Sequence, residues 1–167
     1  MSSHVIRGSA SLWGKTLGAL ALLGGAVIIS SPAAAEPPAP ADVWIQCSGF
    51  SGPNTSWPHP LTGCIARGQE EGSGFTQRTA PGTETIHWNA PFLDGASFQL
   101  TNITSQVVGT GTGCPADHPV EVNVSGTIVA TEPGTKQYDG SPVKATICSN
   151  QTDFILKPGT YFTIFKK

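Results

Sequence analysis

Basic residues are scarce in this 167-residue chain, which carries nine Lys and Arg against eleven Asp and Glu. No run of them could hold phosphates, which excludes nucleic acid and anionic membrane surfaces as partners recognised by charge. The chain has no Cys-x-x-Cys pair, so its cysteines lack the close spacing of a structural zinc site. It has no Gly-x-Ser-x-Gly elbow either: residues 49–52 read Gly-Phe-Ser-Gly and residues 72–74 read Gly-Ser-Gly, and both miss the spacing. Beyond residue 35, no apolar repeat of three to four residues continues for three turns, which argues against amphipathic helices. Only residues 17–29 form a long apolar run. As a helix that run rises about 20 Å, short of the ~30 Å hydrocarbon core of a bilayer.

That run has a different use. Arg7 and Lys15 precede it, and Ser30-Ser31-Pro32 and Ala33-Ala34-Ala35 follow. A basic start, a short apolar segment and a small-residue end are the parts of a secretory signal peptide, expected over residues 1–35. No cysteine follows residue 35 directly, Arg7 has no arginine neighbour, and the last residues, Phe165-Lys166-Lys167, hold no apolar tail. Lipoprotein, twin-arginine and tail-anchored routes are therefore not expected, and no transmembrane anchor should remain after cleavage. Without the leader the chain keeps seven basic residues against eleven acidic, a net charge of about −4.

Residues 36–42 are a Pro/Ala-rich spacer of extended character, and residues 43–167 are long enough for a single domain. Cys47, Cys64, Cys114 and Cys148 all lie in it. An even cysteine count in an exported domain reads as two disulfides, with three pairings open. Sequence neighbours close the shorter loops, which favours Cys47–Cys64 and Cys114–Cys148.

Alternation and turn residues define the rest. Strands are expected at residues 43–47, 83–89, 96–104, 120–131, 143–148, 154–156 and 160–166, with Gly, Pro, Asn and Asp between them. In the longest, Val120, Val122, Val124, Gly126, Ile128 and Ala130 share one face. Seven or eight short strands separated by turns predict an all-β fold, an antiparallel β-sandwich or a small β-barrel. Residues 48–66 read as loop, and residues 67–82 as the least ordered stretch.

Three segments carry a resemblance: Thr62-Gly63-Cys64, the run from Ala80-Pro81-Gly82 through Ile86-His87-Trp88-Asn89, and Val124-Ser125-Gly126-Thr127-Ile128. Together they resemble small secreted β-rich proteins of actinobacteria, mycobacteria and their relatives, over roughly residues 61–165. The resemblance implies a cell-envelope or extracellular location and brings no catalytic residue with it.

Candidate sites are few. Cys114-Pro115-Ala116-Asp117-His118 is the best metal candidate, but an oxidised Cys114 leaves two ligands side by side, so no metal or cofactor is expected. The glycines at 109–113 lead into a Cys-Pro turn and not a helix, so they read as a turn or bulge and not a phosphate cradle. A hydrolase would need His87 or His118 to meet a carboxylate in a concave site. A stapled inhibitor would use the Cys47–Cys64 loop. The favoured expectation is a non-enzymatic domain that acts through surface contacts with an extracellular or envelope ligand. Trp57, with Asn54 and His59 on a proline-stiffened loop, is the candidate contact, and covering one end of the core is the favoured alternative role for the Trp57 ring.

Overall fold

The computed structural model describes residues 40–111 and 113–167, all within the compact unit Glu36–Lys167. The expected leader and most of the spacer lie outside the described residues. Among the described residues, no helix is long and apolar enough to cross a membrane.

The described residues form nine antiparallel strands in chain order: β1 (Val43–Pro53), β2 (His59–Ala66), β3 (Gly72–Ala80), β4 (Thr83–Trp88), β5 (Ser97–Thr110), β6 (Val120–Val129), β7 (Pro142–Ser149), β8 (Asp153–Leu156) and β9 (Phe162–Phe165). Each of the first seven pairs with the next. The last two strands share one stave between β7 and β1. β8 pairs with Ile147–Ser149 of β7 and Ser51–Pro53 of β1, while β9 pairs with the opposite ends of the same two strands. The sheet therefore closes into an eight-stave barrel with one extra strand, and of the two expected architectures the barrel is the one found. An eight-stave barrel has an interior just wide enough to be filled by side chains or to hold one small ligand.

Both expected disulfides are present, Cys47–Cys64 and Cys114–Cys148. They place the folded domain in an oxidising environment. Cys47 and Cys64 are direct cross-strand partners with no solvent exposure. This bridge ties two neighbouring staves inside the barrel and does not brace a protruding loop. The other ties residue 114, within the β5–β6 connection, to β7.

Residues 48–66, expected as loop, and residues 67–82, expected as the least ordered stretch, instead contain the second half of β1 and all of β2 and β3. Their composition hid them for a packing reason. The buried positions of β3 are Gly74 and Thr76, not large apolar residues. Side chains at Gly72 and Gly74 would collide with the rings of Phe92 and Trp88, which press on β3 from within. Volume missing from β3 is supplied by β4 and the turn after it. Pro60 is tolerated because it stands second in β2, before the pairing with β1 begins at Leu61.

One half of the barrel is solid. Ile45, Ile86, Ile128 and Ile164 are fully buried there, around an aromatic chain in which Trp88 meets Phe98 at 6.1 Å, Phe98 meets Tyr138 at 4.8 Å, and Tyr138 meets Trp44 at 5.3 Å. On β6, Val122, Ile128 and Ala130 just beyond it are buried as expected, while Val120 and Val124 are half-buried against the core. On the opposite face of β6, Glu121 is buried beside Cys148. There Lys157 Nζ donates to Glu121 Oε2 at 2.7 Å, and the two side chains are only 20% and 10% exposed. Removing the Lys157 ammonium takes away a close counter-charge from the mostly buried Glu121 carboxylate. Lys157→Ala is expected to cost about 3 kcal/mol in urea unfolding, and a loss under about 1 kcal/mol would mean the pair is solvated.

Candidate functional site: the barrel mouth under Trp57

The other half of the barrel is less completely filled. A cavity of about 180 Å³ lies there, lined by residues from every strand except β3. Phe50, Phe154 and Phe162 form one wall, with ring centroids 4.9 Å and 5.2 Å from that of Phe50. Leu100, Val143, Ala145 and Ile147 form another, and Ile103, Ser105 and Val124 lie towards the outside. A dry apolar cavity of about 150 Å³ is large enough to take benzene.

Asn54, Trp57 and His59, expected as ligand contacts on a loop, all line this one cavity. Each is held differently. Asn54 anchors the loop's start: its backbone N–H donates to Thr152 O at 2.8 Å, and its Nδ2 donates to Asn150 O at 2.9 Å. His59 is buried at the head of β2, where Nε2–H donates to Ser56 O at 2.8 Å and to Pro53 O at 3.0 Å. Carbonyl oxygens only accept, so Nε2 carries the proton. The ring packs edge-on against Phe154 at 5.0 Å and lies 5.1 Å from Trp57. The His59 ring also lies where a side chain at Gly52 would sit, so Gly52 lets the ring tuck under the loop.

Trp57 is the half-buried cover. Its Nε1–H donates to Glu84 Oε1 at 3.2 Å, from the loop to β4. Arg78 lies over the indole at 5.0 Å from the ring centroid, a contact worth about 0.5–1 kcal/mol at an exposed site. The loop is thus anchored at Asn54 and latched at Trp57 by the hydrogen bond to Glu84, the Arg78 contact and the packing of the indole on His59. The remaining cavity residues were not singled out from the sequence, because an apolar residue lining a cavity reads the same as one filling a core.

The histidines outside the cavity divide the parts of a hydrolase between them. His87 Nδ1 and Ser97 Oγ are hydrogen-bonded at 2.9 Å on the outer surface, and His87 stacks on Phe75. Among the described residues no carboxylate completes that pair. Strand register joins them, His87 facing Ser97 across β4 and β5, so no sequence motif announces them. His118 is buried between Asp117 and Asp153, with nitrogen–oxygen distances of 3.3 Å and 3.2 Å, but neither contact has hydrogen-bond alignment. Serine and carboxylate therefore stand at different histidines. Among the described residues, no group of three His, Cys, Asp or Glu side chains is placed to hold a metal ion.

The Asn150 side chain holds the Asp153 carboxyl below its ordinary value by hydrogen bonding, against partial desolvation, with a Thr152 hydrogen bond and the electrostatic influence of nearby His118 adding to it. A carboxyl lowered in the folded state stabilises the fold above its unfolded pKa of about 3.9, and the stabilisation is lost as pH falls through the lowered value. The melting temperature should exceed that of Asp153→Asn at neutral pH, and the gap should close only below about pH 4. A gap that stays constant down to strong acid would show that the ionised form is not what matters.

Comparison with protein-family models, with curated proteins and with solved structures returns no match, so the geometry of the barrel mouth carries the functional reading by itself.

Proposed function

We propose that this is an exported, non-enzymatic binding domain of the cell envelope or extracellular space. It takes a small apolar ligand, or the apolar end of a larger one, into the barrel mouth beneath Trp57. The observation that carries this reading is the cavity itself: an apolar space at one end of a closed barrel, under a loop latched by Trp57 and Glu84. The signal-peptide pattern of residues 1–35 and the likeness to secreted actinobacterial proteins support the location, and two disulfides are compatible with it.

Energetics fit a modest affinity. An aromatic-sized group buries about 150–250 Å², which at about 25 cal/mol per Å² is roughly 4–6 kcal/mol. That corresponds to a dissociation constant between about 1 mM and some tens of micromolar. A longer apolar chain that also covers Ile103 and Val124 would bind more tightly.

The test is calorimetric titration of the disulfide-intact protein with toluene, indole and medium-chain alcohols, with soluble cell-wall glycan fragments in parallel. Saturable binding of the apolar compounds is expected, at least tenfold weaker in Trp57→Ala. Binding of glycan alone, or equal affinity in the variant, would reject the mouth as the site.

A further inference from the structure

Among the described residues, the pairing between β4 and β5 stops well short of the end of β5. β4 pairs with β5 only from Ser97 to Leu100, whereas β5 runs on to Thr110 with β6 as its partner on one side. Among the described residues, no strand pairs with the other side of β5 beyond Leu100. Natural edges of this kind are usually blocked by lysine, proline or an inward charge. Here no Asp, Glu, Lys, Arg or Pro occurs between Gly95 and Cys114. The edge also carries the two most exposed large apolar side chains, Val107 at 66% and Val108 at 50%.

We propose that two copies of this chain pair along these edges, antiparallel, about a two-fold axis at Ser105. The register follows from the strand's own irregularities. Asn102, at a φ of 53°, lies in a bulge between Thr101 and Thr104, and a second bulge falls between Val107 and Gly109, so residues 104–107 are the run in unbroken register with β6, flanked by Ile103. With Ser105 opposite its own copy, Ile103 faces Val107 of the second copy on one side of the sheet, and Thr104 faces Gln106 on the other. Each pair occurs twice, as an isologous contact requires. Apolar meets apolar, hydroxyl meets amide, and no charge is left unmatched. This self-matching favours a second copy over a charged partner strand, which would find nothing on β5 to pair with. The area is short of the roughly 1,200 Å² of a stable interface, so the dimer is weak and depends on concentration. Ile103 and Ser105 also line the cavity, so the paired copy closes its flank.

Sedimentation velocity over a concentration series tests this, with two exposed positions used to read the register. Thr104→Glu/Gln106→Lys places opposite charges across the axis in both pairs, whereas Thr104→Lys/Gln106→Lys places like charges there. Both lose the same Thr104–Ser125 hydrogen bond. The unaltered protein should pass from monomer to dimer as concentration rises. The Glu/Lys variant should dimerise about 2- to 30-fold more tightly, and the double-lysine variant at least tenfold more weakly. An unaltered protein that stays monomeric throughout overturns the proposal, as do two variants that associate equally.

Discussion

Ala145→Phe is expected to abolish binding of small apolar molecules without harming the fold. Ala145 is buried at the centre of β7, and its side chain borders the cavity. In a filled core, so large an addition costs about 1–3 kcal/mol in strain. Here the ring has empty space to enter, so the outcome should be near neutral or a gain of about 0.5–2 kcal/mol. The prediction therefore has two readouts that move independently: affinity falls beyond measurement while the melting temperature holds or rises. Ala130→Phe is the control, since Ala130 is buried but does not border the cavity. It should lose about 1–3 kcal/mol of stability by overpacking. If Ala145→Phe destabilises as much as Ala130→Phe, the space under Trp57 is not available to a ligand.

Replacing Cys47 and Cys64 together by alanine should have the largest effect on stability. The bridge closes a separation of 17 residues, worth about 3 kcal/mol on the chain-entropy model. Cys114–Cys148 closes 34 residues and would contribute about 4 kcal/mol by the same reasoning. Loop length is not the whole account, however. Cys47, Cys64 and Cys148 are all fully buried, but Cys47 and Cys64 lie inside the barrel, where the removed sulfurs leave a void that adds its own cost. The Cys47/Cys64 double variant should thus lose at least as much as Cys114/Cys148, the reverse of the order that loop length sets. Guanidinium unfolding of the two variants decides between the two orders. A smaller loss at Cys47/Cys64 would show that the interior closes around the missing sulfurs.

The β class and both disulfides were legible in the sequence because they rest on local signals. Ile86 and Trp88 alternate with Thr85 and His87, and both are buried as that alternation implies. β3 was not legible because Gly74 and Thr76 occupy its inward positions, and the rings that fill the space come from Trp88 and Phe92 elsewhere in the chain. β1 extends past its apolar residues into Ser51–Pro53 because β8 is there to pair with it. No local pattern carries that information. The burial of Glu121 was hidden for the same reason, since Lys157 is far along the chain.

The candidate site divides in a similar way. Trp57 stood out as an aromatic residue among prolines, and Asn54 and His59 stood beside it. Their latch to Glu84 and their anchors at Asn150 and Thr152 depend on tertiary contacts. The cavity depends on what is missing: Ala145 is a small residue opposite three phenylalanines, and only the closed barrel shows that nothing else fills the gap.

The most direct test is a methyl NMR titration of the disulfide-intact protein with toluene. Leu100, Val143, Ala145 and Ile147 border the cavity, whereas Ile45, Ile86 and Ile128 are in the filled half. Saturable shifts confined to the first group are predicted. Shifts in neither group, or shifts spread evenly over both, would contradict a ligand site at the barrel mouth.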